Sequence, residues 1–273
     1  MLDQVYLNGE ILPAAEARLH VSDLSILRGY GVFDYFRYVD GEPRFLDDHL
    51  DRFRLSALGL GMELPFGRSE LAAVILDMID RNGGGEGGIR AVLTGGYAED
   101  GYTPIDPNLL ILPYAFTPPP AQRYTEGCSA MLHLYERQLP RVKSIDYLEG
   151  IRIQPLLREQ GADYPLFVDR DRNVRESDRS NFMIVREGRL ITPVEDVLLG
   201  ITRKHLLVVA AQLGIPVEER CVSADELLSA DEAIICSSIK GAMPISRVDG
   251  RTVGGGGAGP ITRRLMRAWV EYA

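Results

Sequence analysis

Three consecutive prolines, Pro118 to Pro120, constrain this 273-residue chain more than any other feature. Proline has no backbone N–H and a fixed φ, so three in a row stiffen the backbone and stop any sheet. The chain is therefore expected to build separately on either side of them. Before them, Asn8-Gly9 and Asp40-Gly41 supply the positive-φ pairs of tight hairpin turns. They predict hairpins over residues 5–12 and 31–46, the second with strands at 31–39 and 43–46. An amphipathic helix is expected over 46–58, with Leu50, Phe53 and Ala57 at core spacing and His49 and Arg52 sharing a face. Ser69 is expected to cap a helix running to Asn82. The glycine-rich run 83–88 reads as a flexible link, followed by strands at 89–94 and 108–116.

Beyond the prolines the order of elements changes. Strands are expected at 129–136, 166–169, 182–186 and 232–237, with a hairpin at 248–253 about Asp249-Gly250. Helices are expected at 147–160, from Thr202 to the stop at Gly214, after the capping box Ser223 to Glu226, and from Pro260 onward. Hairpins interleaved with helices indicate an α+β fold in two domains. The boundaries are a smaller N-terminal domain over 1–117, a Pro-rich linker over 118–122 and a C-terminal domain over 123–273.

Composition narrows the function. A formal net charge of -9 argues against binding nucleic acid or an anionic membrane surface. No apolar run approaches the ~20 residues needed to span a bilayer. The first residues carry no basic or apolar leader pattern, and a cytoplasmic protein is expected. Cys128, Cys221 and Cys236 are scattered, as are His20, His49, His133 and His205, so no disulfide framework or metal site is expected. No GxSxG motif points to a serine hydrolase. Only three of the 30 basic residues are lysines, Lys143, Lys204 and Lys240, so chemistry that needs an amine has three candidates.

Four segments carry chemistry. Lys143 lies in Arg141-Val142-Lys143-Ser144-Ile145-Asp146-Tyr147-Leu148, near the start of the helix expected at Tyr147. A helix N-terminus lowers an amine's pKa and favours the neutral nucleophile; an ordinary solvated lysine is the plainer alternative. Glu176 lies between two strands, with Ser177, Ser180 and Asn181 able to hold the local turn; an ordinary polar loop explains it equally. The helix opening at Leu199-Gly200-Ile201-Thr202-Arg203-Lys204 has a basic first turn, the wrong sign for the helix dipole unless the amides of Ile201 and Thr202 bind an anion. Ser237 and Ser238, after a buried strand, offer hydroxyls, and Arg52 a positive charge.

Taken in order, these segments resemble the fold-type IV pyridoxal-phosphate enzymes: D-amino-acid transaminases, branched-chain transaminases and aminodeoxychorismate lyases. His49-Leu50-Asp51-Arg52 is similar to the family's HLxRL. The Lys143 to Leu148 segment is similar to K-S-x-N-Y-L, with Asp146 where Asn is usual. Glu176 to Asn181 is similar to E-G-x-x-S-N, with Ser177 replacing Gly, and Gly200 to Arg203 matches G-I-T-R. The resemblance covers nearly the whole chain and implies pyridoxal 5′-phosphate as cofactor and a mixed, barrel-like second domain. It implies an imine on Lys143, the carboxylate of Glu176 opposite the ring nitrogen, and Tyr147 near the phenolate oxygen. Arg52, Ser180, Asn181, Ile201, Thr202, Ser237 and Ser238 are the remaining expected cofactor contacts. Lys204 and Lys240 are then surface or phosphate-side residues. A homodimer is implied as well.

Substrate class is expected from the departures. D-amino-acid enzymes often carry an Arg-x-His trap after the strand that here holds Arg90, and this chain has none. Branched-chain enzymes commonly have tyrosine two residues before that arginine, and here it is Gly88. Arg28, Arg90 and Arg179 instead offer bidentate partners for carboxylates, with Tyr30 and Ile239 as further substrate contacts; structural salt bridges are the alternative for Arg28 and Arg179. The expected activity is amino transfer from D-amino acids, such as D-glutamate or D-alanine, to 2-oxo acids such as 2-oxoglutarate or pyruvate. The alternatives are an L-branched-chain transaminase, an (R)-amine transaminase and an aminodeoxychorismate lyase.

Overall fold

A computed structural model describes all 273 residues. The chain folds as two compact units, residues 1–117 with 142–146, and residues 118–141 with 147–273. This corrects the expectation that everything after residue 123 belongs to the second domain. The five residues around Lys143 return to the first unit because strand Gly31–Val39 has a free edge there. Phe33 N–H donates to the Lys143 carbonyl at 2.9 Å, and Ile145 N–H to the Gly31 carbonyl at 3.0 Å.

The first unit is a six-stranded antiparallel sheet in the order Glu10–Pro13, Gln4–Leu7, Leu109–Ala115, Gly87–Thr94, Gly31–Val39, Glu42–Pro43. Asn8 and Gly9 have φ of 50° and 99°, and Asp40 and Gly41 of 54° and 79°, as their hairpin turns require. The second hairpin is shorter than expected, since Leu46 already opens helix Leu46–Gly59. That helix and Arg68–Arg81 bury Leu50, Phe53, Ala57, Leu71, Ile75, Met78 and Ile79 against the sheet. Ser69 is not the cap of the latter. Gly67 is, with no side-chain bond.

The glycine run is not a link throughout. Gly87 and Gly88 are sheet residues, paired with Tyr38 and Arg37 on one side and Ala115 and Tyr114 on the other. A Cβ on Gly87 would overlap the Tyr38 hydroxyl, and one on Gly88 the Tyr35 hydroxyl. Two neighbouring phenols thus require glycine here, a close-approach reason rather than a flexible one.

The second unit is a ten-stranded mixed sheet. Its path runs Val217–Glu219, Arg189–Thr192, Asn181–Arg186, Glu232–Ser237, Gly241–Val248, Cys128–Leu134, Tyr164–Val168, Asn173–Val174, Val222–Ser223, with Arg251–Thr252 paired to Gly241–Val248. The two ends of this path, Glu219 and Val222, are joined by only two residues, so they lie within about 11 Å of each other. The sheet must therefore coil almost shut. Strand alternation sorts its faces: Phe182, Ile184, Ala233 and Ile235 pack with Met243 and Leu166 on one side. Met183, Val185, Ile234 and Cys236 pack on the other, under helices Ile201–Gln212 and Pro260–Tyr272. The single helix expected over 147–160 is two, Leu148–Arg152 and Gln154–Glu159. Pro155 in the first turn of the second cannot continue the ladder of the first.

Candidate active site

In the first unit the chemistry-bearing groups start from one buried acid. Asp34 sits among the apolar and aromatic residues Val32, Phe33, Tyr35 and Phe36 of its strand, fully buried. It accepts Arg52 Nε at 2.8 Å, Arg52 Nη2 at 2.7 Å, and faces His49 Nδ1 at 2.7 Å. Burial by itself would raise the Asp34 pKa, but Arg52 and His49 more than offset it and hold the carboxyl below the usual range. Burial lowers His49, with Asp34 opposing it and the positive charges of Arg52 and Lys143 adding to it. Helical spacing brings His49 and Arg52 to one face, so one carboxylate orients both. Arg52 commits its Nε and Nη2 edge to Asp34, and Nη1 is left for an external anion.

Lys143 is held by its backbone. Its N–H donates to Ser56 Oγ at 3.1 Å, its carbonyl accepts from Phe33, and Ser144 bridges to Val32. Its Nζ stands 4.6 Å from the centre of the Phe33 ring, and the Arg90 guanidinium 5.2 Å from the same ring. Arg90 also lies 5.7 Å from the Tyr114 ring and makes no ion pair, so a guanidinium and the amine share one aromatic wall. Tyr35, cross-strand from Arg90, puts its hydroxyl over Gly88. Burial raises the Tyr35 pKa, which keeps it a neutral phenol. The helix following Lys143 begins only at Leu148 and is five residues long, so the expected dipole effect on the amine has no adequate source.

The other first-unit candidates are placed differently. Arg28 ends helix Leu24–Arg28, exposed, donating only to the neighbouring Leu27 carbonyl at 2.9 Å, and forms no salt bridge. Tyr30 packs on the core and donates its hydroxyl to the Leu60 carbonyl, which occupies the group expected to meet substrate.

In the second unit, Glu176 is buried and held through both of its oxygens. Oε1 accepts Arg137 Nη1 at 2.9 Å, while Oε2 accepts the Leu198 N–H at 3.0 Å and Asn181 Nδ2 at 3.3 Å. Asn181 Nδ2 also donates to the Leu198 carbonyl at 2.7 Å, fixing the turn that carries Glu176. A Cβ on Gly200 would overlap Asn181 Oδ1, so the glycine of the G-I-T-R segment is required by the asparagine of the other motif. Tyr147 is half-buried; burial raises its pKa, with Arg137 opposing. Its phenol is neutral and a donor.

Helix Ile201–Gln212 opens after Gly200 with no side-chain cap, and Ile201 and Thr202 are both buried. Their first-turn amides are donors with no acceptor inside the helix. Arg203, in the basic first turn, is buried. It turns inward and donates to Thr192 Oγ1 at 3.2 Å, the Pro193 carbonyl at 2.9 Å and Glu219 Oε2 at 2.6 Å. Lys240 is not a surface residue either. It is buried, with Nζ donating to Ser180 Oγ at 3.0 Å. Ser237 and Ser238 are half-buried at the turn before it. Arg179 is exposed and donates to Asp178 at 3.0 Å, and Ile239 is exposed.

Asp34, Ser56, Arg137 and the burial of Lys240 were missed in the sequence. An acid inside Val32-Phe33-Asp34-Tyr35-Phe36 was the available signal for the first. Arg137 sits in an irregular segment with no periodicity to mark it.

The first unit offers an amine and a half-free arginine, and the second a buried carboxylate on a guanidinium, uncapped helix amides and a hydroxyl turn; each is a group type that pyridoxal 5′-phosphate chemistry calls for. Comparison with known proteins agrees. A family model, amino-transferase class IV, matches residues 31–248. The D-alanine aminotransferase of Bacillus licheniformis is 30% identical over 275 residues, covering 97% of this chain and 95% of the relative. A putative branched-chain-amino-acid aminotransferase of Methanocaldococcus jannaschii is 31% identical over 279 residues, covering 98% and 96%. The branched-chain amino acid aminotransferase of T.th., solved with pyridoxamine 5′-phosphate, superposes with a TM-score of 0.93 at 25% identity, covering 99% of this chain and 94% of that one.

Proposed function

The chain belongs to the class IV aminotransferases, which are pyridoxal phosphate enzymes, and from that premise we propose that it transfers the amino group of D-amino acids, D-glutamate and D-alanine among them, to 2-oxo acids such as 2-oxoglutarate or pyruvate. Bound pyridoxal 5′-phosphate supplies an electron sink for the charge left at the substrate Cα. In this reading the amides of Ile201 and Thr202, the hydroxyls of Ser237 and Ser238 and the free Nη1 of Arg52 bind its phosphate. Glu176 meets the ring nitrogen, oriented by the Arg137 guanidinium on its Oε1. Tyr147 donates to the phenolate oxygen. Lys143 Nζ would take the proton from the substrate Cα and deliver it to the cofactor carbon bonded to the amino nitrogen, the 1,3-shift that amino transfer requires.

The observation that carries the choice of an α-amino acid over a simple amine is Arg90. An unpaired guanidinium stands beside the same ring as the reactive lysine, where it can take the α-carboxylate bidentately. The D preference draws on the D-alanine aminotransferase relative and on Gly88, which leaves no room for a side chain beneath Tyr35. Arg28, which makes no ion pair, remains available for a second carboxylate, whereas Arg179 reaches one only by giving up Asp178. A screen of paired D- and L-amino acids with 2-oxoglutarate or pyruvate tests the reading. Turnover of D-glutamate and D-alanine is expected, and exclusive turnover of L-leucine, L-isoleucine and L-valine would overturn it. Arg90→Ala is expected to lower kcat/KM for amino acids about ten- to a hundredfold, the loss of one charge-assisted pair, and to leave a carboxylate-free primary amine unaffected.

We further place the protein in a homodimer in the cytoplasm, with the apolar surface around Ile26 as the contact.

A further inference from the structure

Lys240 is an uneconomical residue for its place. It is 9% exposed, yet no carboxylate pairs with its ammonium. Its Nζ has one hydrogen-bond partner, Ser180 Oγ at 3.0 Å, and lies 4.6 Å from the centre of the Tyr164 ring. Burial pushes its pKa down to about 8, with the charge of Arg179 adding to this and Asp178 opposing. A methionine of similar length would fill the same space without desolvating a charge.

The two ends of Lys240 engage two different turns. Its backbone N–H closes the turn from Ser237 by donating to the Ser237 carbonyl at 3.0 Å, and its carbonyl accepts the Tyr124 hydroxyl at 2.9 Å. Its side chain reaches Ser180, whose carbonyl accepts the Ser177 N–H at 2.8 Å and so closes the turn that begins at Glu176. Beneath both, Asn181 pairs with Cys236 in the sheet. Without the amine, each turn keeps its internal bonds, and only the sheet beneath relates one to the other.

We propose that Lys240 is a positioning residue: through the Ser180 hydroxyl it fixes the turn carrying Glu176 against the turn carrying Ser237 and Ser238. The proposal rests on the function proposed above, in which Glu176 meets the ring nitrogen and the two serines meet the phosphate. The Lys240–Ser180 link then sets the spacing between groups that grip opposite ends of one rigid cofactor. A spacing held in advance costs nothing at the moment of binding.

Lys240→Met, Ser180→Ala and the double variant test this by titration of the apo-protein with pyridoxal 5′-phosphate, followed by absorbance. Each single variant is expected to bind it five- to tenfold more weakly, and the double variant no more weakly than the worse single. The thermal midpoint of apo Lys240→Met should equal or exceed that of the wild type, since a desolvated charge is removed. A lowered midpoint with unchanged cofactor affinity would make Lys240 merely structural and overturn the proposal. The same three variants give a cofactor-free cycle on the apo thermal midpoint, and additivity there overturns the link itself. Wild-type protein that binds no pyridoxal 5′-phosphate would instead sink the function, and the cofactor-free cycle would still judge the link.

Discussion

At the scale of single residues, both halves of the site use one charged group to fix another. Arg137 does so for Glu176. Its removal takes a charged donor from a buried carboxylate, and a charge-assisted bond of about 1.5–3 kcal/mol is lost. Arg137→Met is therefore expected to lower kcat/KM by ten- to a hundredfold in a steady-state assay, and full activity would show that Glu176 needs no such partner. Asp34 does the same for Arg52 and His49. Asp34→Asn leaves an arginine without its buried counter-charge, expected to cost about 3–5 kcal/mol in urea unfolding at pH 7. The pH dependence has a definite sign. The folded pKa of Asp34 lies below its ordinary 3.8, so its contribution is complete above that value and is lost as pH falls further. The folded His49 pKa is also lowered from 6.5, so the unfolded chain binds its proton first and stability declines already below that pH. The gap between wild type and Asp34→Asn should accordingly narrow on acidification below about pH 4. A gap that widened would contradict the assignment.

Among elements, the hairpins were legible and the glycines were not. Asn8-Gly9, Asp40-Gly41 and Asp249-Gly250 mark their turns because a tight hairpin needs two residues of positive φ, a purely local demand. The same holds for the Ser223 cap, whose Oγ accepts the Glu226 N–H at 3.1 Å. Gly87 and Gly88 answer a demand from Tyr38 and Tyr35, some fifty residues earlier, and no local pattern carries that. The burial of Lys240 was hidden for a related reason: composition marks a charge as exposed, while the hydroxyl that holds it comes from a turn sixty residues earlier, and no local pattern announces the carbonyl and carboxylate that Arg203 turns inward to meet. The motif residues were found since chemistry restricts residue type, but their partners Arg137 and Asp34 were not. Gly87→Ala tests the close-approach account. Tyr38 is fully buried and cannot swing away, so overpacking of about 1–3 kcal/mol is expected in urea unfolding. An unchanged midpoint would mean that the glycines answer to something other than the phenols.

At the scale of the whole molecule, the first unit presents an apolar surface that its own fold does not cover. Val21, Ile26, Tyr102 and Ile105 are 71, 57, 77 and 51% exposed. They lie on two segments held side by side, loop 97–105 along residues 21–28: the Ala98 N–H donates to the Ser22 carbonyl, Tyr97 bridges to Asp23, and Leu27 packs at Gly101. Large contiguous apolar patches are uncommon on monomers and mark contacts with other molecules. The proposed homodimer covers this patch in the economical way, with the same surface contributed by each copy about a two-fold axis. The 30.3 kDa chain is then expected to scatter light as a particle of about twice that mass. Ile26→Asp places a charge in the middle of the contact without touching the core, since Ile26 is not among the residues that build it. Burying that unpaired carboxylate twice over, once per copy, costs several kcal/mol, enough to return the protein to its single-chain mass at micromolar concentration. The circular dichroism spectrum should be unchanged. A wild-type protein that scatters as a single chain, or an Ile26→Asp variant that keeps the doubled mass, would place the partner surface elsewhere.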